Sequence, residues 1–491
     1  MTLPLGPVDL AVLIVYFAAM LLVGVWAGAR STNLEAYVLG DRNLPWWAIL
    51  GSIVATETST ATVLSVPGEA FGPSGFRFLQ LALGYVVGRI LIVRLLLPLY
   101  FQSRLFTAYE VLERRFGGMT QRAASLLFLV TRNLGDGLRL FLAAIVLQKL
   151  TGLPFAISVA GMGAVTIIYT VFGGLRSVVW NDCLQLAIYL VGGLVAVFVI
   201  VARLPGGWSE LQAFAAEHHK WTVFDFRLTL AEPYTFWAGL FGGAILTLGT
   251  HGTDHMMVQR YLSARSQRDA SRAVVASGLV VAAQFALFLL IGVELACYYA
   301  RHPEIHFART DEVFADFMVR EFPVNTGLVG LLLAAILAAA MSTLSSSLNA
   351  SASALVHDFL LTPGRPLGDP ARALLRTRLL TVVFGIVQMG IGLAATYLDA
   401  SVVRGALTIA GYSAGLLLGV FALGVFTRTV DARGAVAGGV TGLMGLLFIQ
   451  FGLPAWGIKV AFPWYALIGA TLTFSGGLLF SGGTARQEAP S

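Results

Sequence analysis

One serine-rich stretch carries the residue types best suited to chemistry. Ala339, Ser342, Thr343 and Ser346 recur at i, i+3, i+4 and i+7, so on a helix they share one face. Hydroxyls and backbone carbonyls are hard oxygen donors. They replace the water shell of a hard cation such as sodium without burying several net charges. A helix interrupted at membrane depth frees carbonyls of this kind. Thr56-Glu57-Thr58-Ser59-Thr60, followed by Pro67-Gly68, reads as such an interruption. The competing role for the hydroxyls is to bond their own i−4 carbonyls or to glue helices together.

Charges inside apolar runs form a second group. Glu57 sits in the predicted break, and Arg132, Asp136 and Arg139 are spaced four and three apart on one face. An Arg at membrane depth is expensive alone, so these groups pair with each other, with Glu57 or with a solute. An Arg fork fits a carboxylate, while Arg132, Asp136 and Arg139 also have the makings of a self-contained structural triad. Asp182 lies where a basic loop meets an apolar span and needs a partner or a ligand; an N-cap role and pairing with Arg176 are the alternatives. Glu294 is another costly acid, expected to face the outer water, and His302 and His306 read as a solvated loop. The sequence shows no nucleophile–base arrangement, no metal-enzyme motif and no paired-Asp magnesium motif, so an enzyme is not expected.

These residues need lipid as their solvent. Of 491 residues, 57% are apolar and 12% charged, against roughly 25% charged in soluble domains. The mean hydropathy is +0.80. The net charge of +6 comes mostly from Arg scattered through short loops, a topology signal that argues against nucleic acid as a partner. Apolar runs long enough to cross a bilayer lie near 8–29, 46–70, 75–101, 123–149, 154–174, 178–203, 234–252, 273–299, 325–356, 377–398, 403–426, 434–453 and 460–481. That is about thirteen predicted helices. No strand is expected, because the runs lack the alternation of a membrane barrel.

Counting from outside, the cytoplasmic loops would hold Arg30 and Arg42; Arg104, Arg114, Arg115 and Arg122; and Arg176. The later ones would hold Arg260, Arg265, Arg268 and Arg272; Arg365, Arg372, Arg376 and Arg378; and Arg428 and Arg433. The positive-inside rule then predicts a multi-pass protein of the plasma (inner) membrane, N-terminus outside and C-terminus cytoplasmic. Val8–Gly28 reads as a retained span, and the tail after Ser481 as too short for a soluble domain. Cys183 and Cys297 read as small packing residues. The run at 234–252 contains Gly242-Gly243 and ends in Thr250-His251-Gly252-Thr253-Asp254. It lies five spans beyond the first interrupted run, and such paired interruptions point to an inverted-repeat transporter with its site near the midplane.

Four segments together resemble the sodium:solute symporter family. Tyr169-Thr170-Val171-Phe172-Gly173-Gly174-Leu175-Arg176-Ser177-Val178-Val179-Trp180-Asn181-Asp182-Cys183-Leu184-Gln185 is similar to its most recognisable signature, with Asn181 where Thr is usual. Gly252-Thr253-Asp254 with Val258-Gln259-Arg260-Tyr261-Leu262 resembles the end of its sixth core helix. Ala338 to Asn349 resembles the eighth, and Ala55 to Gly68, more loosely, the first.

The resemblance implies an all-α LeuT-like fold, a 5+5 inverted-repeat core with one extra N-terminal and two extra C-terminal helices. On this chain that gives an extra helix and first cytoplasmic loop over 1–44, a first repeat over 45–203 and an extracytoplasmic loop over 204–232. The second repeat then covers 233–426, and two helices with a short tail cover 427–491. The resemblance also implies a sodium site at the carbonyls of Ala55, Thr58 and Ala339 and the hydroxyls of Ser342 and Thr343. A second sodium site, present in parts of the family, would use Asp182, Ser342, Ser345 and Ser346. Solute contacts would come from Glu57, Ser59, Thr62, Gln80, Thr247 and His251, with Arg132 and Arg139 as candidates from their charge. The family's sugar carriers have an aromatic gate near the position of Thr250, which argues against a glucose-type site.

The expected activity is sodium-coupled symport of a small organic solute (a sugar, a sialic acid or another carboxylate-bearing molecule) by alternating access. Sodium is the coupling ion and no other cofactor is expected. The alternatives are proton coupling through Asp182 or Glu57, a transporter-like sensor, or a membrane transferase.

Overall fold

A computed structural model describes residues 5–29, 33–102, 105–360, 370–398, 408 and 411–482. Arg30, Arg104 and Arg365, the start of the run at 403–426 and most of the tail lie outside the described residues. The described chain is helical. Helices α1 (Pro7–Gly28), α2 (Leu34–Leu39), α3 (Trp46–Glu57), α4 (Thr60–Phe71), α5 (Leu79–Leu91), α6 (Leu97–Phe101) and α7 (Glu110–Phe116) lead to the long α8 (Gly118–Thr151) and α9 (Phe155–Ala202). Then come α10 (Gly207–Glu217), α11 (Gly243–Gly252), α12 (His255–Leu262), α13 (Gln267–Tyr299), α14 (Val313–Glu321) and α15 (Leu328–Leu355). The chain continues through α16 (Pro370–Ala394), α17 (Ser413–Phe426), α18 (Ala432–Leu447) and α19 (Pro463–Leu479).

Among the described residues, seven helical segments are long and apolar enough to cross a membrane, or eight with the bent pair Trp46–Glu57 and Thr62–Phe71. The figure falls short of the sequence expectation for physical reasons. Helix α8 contains Arg132, Asp136 and Arg139, and charges lower its hydropathy. The runs at 154–174 and 178–203 join into the 48-residue α9. At 1.5 Å per residue α9 measures about 70 Å, enough for two crossings. Its kink is at Gly174, with φ 57 and ψ −151. A Cβ there would lie 2.3 Å from the Tyr37 carbonyl oxygen, so backbone torsion and close approach both demand glycine.

Position in the bundle follows from which faces are apolar. In α1, 22% of the most apolar window is buried, and Ile14, Val15 and Leu22 point outward, as a lipid-facing helix requires. The segment Leu328–Leu360 reaches 89%. It packs on α9, α8, α16 and α1, so the serine-rich helix is the hub of the bundle. Its N-terminus is held by Asp9 of α1, whose carboxylate accepts from the backbone N–H groups of Asn325 (2.8 Å), Gly327 (3.0 Å) and Gly330 (3.3 Å). An acid there satisfies orphan donors and favours the helix dipole.

Two helices are broken. Between α3 and α4, Thr58 (ψ 115) and Ser59 (ψ 172) are extended, and the flanking segments bend by 63°. Between α11 and α12, Thr253 leaves helical torsions and Asp254 caps α12 through the Met256 N–H (2.9 Å). At the far end of α4, Lys220 donates to the carbonyls of Ala70 (3.2 Å), Phe71 (2.8 Å) and Gly72 (2.6 Å). A cation on helix C-terminal carbonyls is favourable, although burial lowers this ammonium below the ordinary lysine range. The half-helix that begins at the site is thereby tied to the loop carrying α10.

Gly174→Ala is expected to cost about 1–3 kcal/mol from torsion alone, plus the overlap with Tyr37. Gly161→Ala, with open space around its Cβ, should be neutral or stabilising by up to about 1 kcal/mol. Thermal unfolding in detergent, followed by tryptophan fluorescence, checks the contrast.

Candidate cation and solute site

The break in α3–α4 leaves carbonyls that the helix cannot use. The Ser59 N–H, which a continuous helix would direct at Ala55, instead meets the Thr62 hydroxyl at 3.3 Å. The Ala55 carbonyl is met by the Ser342 hydroxyl (2.9 Å), which also lies 3.3 Å from the Ala339 carbonyl. The Thr343 hydroxyl donates to the Thr56 carbonyl at 3.1 Å. Ala55, Ala339, Ser342 and Thr343 therefore converge where α15 crosses the break. The Thr58 side chain turns away: its hydroxyl donates to the Val54 carbonyl (2.8 Å) and accepts from Tyr189 (3.1 Å) and Gln284 (2.7 Å).

Two cavities meet beside these oxygens. One of about 560 Å³ rises past Ser65, Lys149, Arg309, Glu312 and Arg320 toward the face carrying α14. The other, about 330 Å³, reaches in between the breaks, past Glu57, Tyr85, Arg132, Thr247, His251 and Asp254. Ser59, Arg139 and Thr343 line both. The smaller volume is at the lower end of the range for small-molecule sites. Of the sequence-expected solute residues, Glu57, Ser59, Arg132, Arg139, Thr247 and His251 line a cavity, whereas Thr62 and Gln80 line neither. Gln80 is fully occupied elsewhere. Its amide donates to the carbonyls of Tyr234 (2.8 Å) and Arg77 (3.1 Å) and accepts from the Asp225 N–H (2.9 Å).

The charges are neutralised in pairs. Glu57 pairs with Arg89, next to His251 at 3.3 Å. Arg132 pairs with Asp254 and lies 3.8 Å from Asp136, which also takes Arg139. Neither of the roles weighed for Asp182, an N-cap or a partner of Arg176, is the one seen. Arg176 lies 3.8 Å from Asp41, and Asp182 faces Arg260 at 3.3 Å.

Arg260 corrects the loop assignment made from sequence: it is fully buried on α12. The apolar flanks of Val258 and Tyr261-Leu262 mark a buried helix, but the assignment of 260–272 to one basic loop hid it. Arg89 was missed altogether. It lies mid-run in 75–101, where the rule applied to Glu57, that an intramembrane charge needs a partner, flags it equally. Glu294 does not face outer water; it is fully buried, and both carboxylate oxygens lack a hydrogen-bond partner.

A helical bundle with two broken helices, freed carbonyls against a hydroxyl-bearing helix and a charge-lined cavity between the breaks defines a secondary transporter. The chain belongs to the sodium:solute symporter family, whose model matches residues 37–442. It is 30% identical over 455 residues to the human sodium/iodide cotransporter, covering 89% of this chain and 69% of that one. It is 28% identical over 480 residues to the sodium/sialic acid symporter SiaT of Proteus mirabilis, covering 95% and 93%. The structure of a substrate-bound, outward-open Na+-coupled sialic acid symporter superposes with a TM-score of 0.87 at 27% identity, over 96% of this chain and 97% of that one. The chain is thus a multi-pass, LeuT-like, sodium-coupled transporter.

Glu57→Leu strands the fully buried Arg89 and is expected to destabilise by about 3–5 kcal/mol; Glu57→Leu with Arg89→Met should recover most of it. Chemical denaturation in detergent reads both variants.

Proposed function

We propose that the chain imports a small organic solute, with sodium held by the carbonyls of Ala55, Thr58 and Ala339 and the hydroxyls of Ser342 and Thr343. The observation that carries this is the Ser342 hydroxyl set between the Ala55 and Ala339 carbonyls at the break. These are neutral oxygens of suitable hardness, drawn from two helices. Bound sodium fixes the first broken helix against α15 and completes the cavity between the breaks. The core then rocks about the filled site, driven by the sodium gradient and a membrane potential worth about 2.3 kcal/mol per charge per 100 mV.

The proposed repeats cover 45–203 and 233–426, joined by the loop 204–232, with 1–44 and 427–491 as additions. The face carrying α10 and α14 is outside, as are the N-terminus and the larger cavity, and the C-terminus is cytoplasmic. Arg114, Arg115 and Arg122 on the opposite side support that orientation. Glu57, Ser59, Arg132, Arg139, Thr247 and His251 hold the solute. Of the sugar, sialic acid or other carboxylate-bearing solutes, those with a carboxylate fit best, because the Arg139 side chain, 44% exposed, is the guanidinium most open to the cavity between the breaks.

Proteoliposome uptake of carboxylates and sugars, preselected by a thermal-shift screen with and without sodium, tests the reading. Uptake is expected to follow an inward sodium gradient. Ser342→Ala should raise the sodium half-saturation by about tenfold or more, equivalent to about 1.4 kcal/mol. Uptake driven by a pH gradient without sodium would establish the proton-coupled alternative instead. Arg139→Gln should raise the KM for a carboxylate solute by about tenfold and leave that for an uncharged analogue unchanged.

A further inference from the structure

The segment 223–230 runs extended between α10 and α11. Side chains of an extended segment alternate between two sides. Phe224, Phe226, Leu228 and Leu230 take one side, each more than half exposed, with Leu228 at 80%. Asp225 and Thr229, on the other side, are half-buried. The Asp225 N–H donates to the Gln80 side chain at 2.9 Å. A segment bathed in water turns its polar side out. One that faces lipid turns its apolar side out and its polar side in, which is the pattern here.

Hydrogen bonds fix the level of this strap. Gln80 lies in the first turn of α5. The Phe236 N–H donates to the Asp225 carbonyl (2.7 Å) and the Trp237 indole to the Phe226 carbonyl (3.1 Å), just ahead of α11. The Ala461 N–H donates to the Leu230 carbonyl (2.7 Å), just before α19. The strap thus crosses the ends of three apolar helices, where hydrocarbon gives way to headgroups. Its outward face continues a lipid-facing surface. Leu83 and Val87, three and seven residues beyond Gln80 on α5, are exposed, as is Phe241, which stacks on Trp237. The strap's own charges cancel, Arg227 pairing with Asp225 at 2.6 Å. Phe224 and Phe236 both pack against the ring of Phe226. Aromatic rings without net charge suit the membrane interface.

We propose that the strap lies flat in the membrane interface on the side carrying α10, with Phe224, Phe226, Leu228 and Leu230 against the acyl boundary of that leaflet. Lipid then holds Phe236 and Trp237, and with them the start of the second broken helix, at a fixed depth. The connection from α9 to α11 is accordingly divided. Its first part, α10 with the exposed Gln212 and Glu217, stays on the aqueous side, and its last part is a membrane-binding surface.

The test attaches a nitroxide to Leu228→Cys in the full chain, in lipid vesicles, with Cys183→Ser and Cys297→Ala removing the two native thiols. Collisions of the label with oxygen, which concentrates in lipid, are compared with those of a water-soluble nickel chelate. Oxygen is expected to dominate for Leu228→Cys and for Phe226→Cys, and the chelate for Glu217→Cys on α10. Chelate dominance at either Leu228→Cys or Phe226→Cys overturns the proposal. So does spin–spin broadening at Leu228→Cys that disappears on dilution with unlabelled protein, which would make a second copy of the chain the occupant. If the cysteine-free protein fails to fold, hydroxyl-radical labelling of the wild type in lipid nanodiscs decides. Phe224 and Phe226 labelled as weakly as Phe241 support the strap in lipid; labelling as strong as that of the exposed His219 refutes it.

Discussion

Four carboxylates set deep in the membrane bundle each meet a cation that the bundle supplies, and those pairings organise the core. Glu57, Asp136, Asp182 and Asp254 each meet a guanidinium, from Arg89, Arg139, Arg260 and Arg132. Only the Asp136–Arg139 pair lies within a single helix; the others tie α3 to α5, α9 to α12, and α8 to the α11–α12 break. An unpaired charge at such depth is costly, so each pair ties together the helices that carry it. These pairs are a source of conformational specificity more than of net stability, since desolvation offsets much of their attraction.

The broken helices depend on the same balance between polar groups and lipid. A helix interrupted in a hydrocarbon environment is tolerated only where protein satisfies its freed backbone groups. Here α15 supplies the hydroxyls: Ser342 serves Ala55, and Thr343 serves Thr56. The oxygens that stabilise the break are the ones the proposed sodium site would use, so in that proposal structural repair and ion binding share one set of atoms. The role weighed from sequence, hydroxyls bonding their own helix, is also real. Ser345 and Ser346 donate to the Ser342 carbonyl at 3.1 and 2.7 Å.

Much of the fold was legible in the sequence because lipid imposes a length and a composition. The run at 75–101 coincides with the segment Gly75–Phe101, and the first run, at 8–29, with Pro7–Gly28. The first interruption was legible from Thr56 to Ser59, since hydroxyl-rich residues around an acid contradict an apolar span. The second interruption was legible at Thr250–Asp254, but the half-helix beyond it was not, because α12 is short and mixed in character. The joined α9 escaped for a related reason: Gly173-Gly174 reads as a loop, yet Gly174 bends the helix without ending it.

The sequence by itself determined the solvent, the helices and the family, because hydropathy over a bilayer's width and the motifs at Tyr169–Gln185 and Ala338–Asn349 are local properties of the chain. It also marked Ser342 and Thr343 as candidate cation ligands, through helical periodicity and resemblance. Only the tertiary structure decided who neutralises whom. Arg260 lies 78 residues from Asp182, and Arg89 lies 32 from Glu57. Such pairings are set by which helix faces meet, a matter of packing that no local pattern encodes.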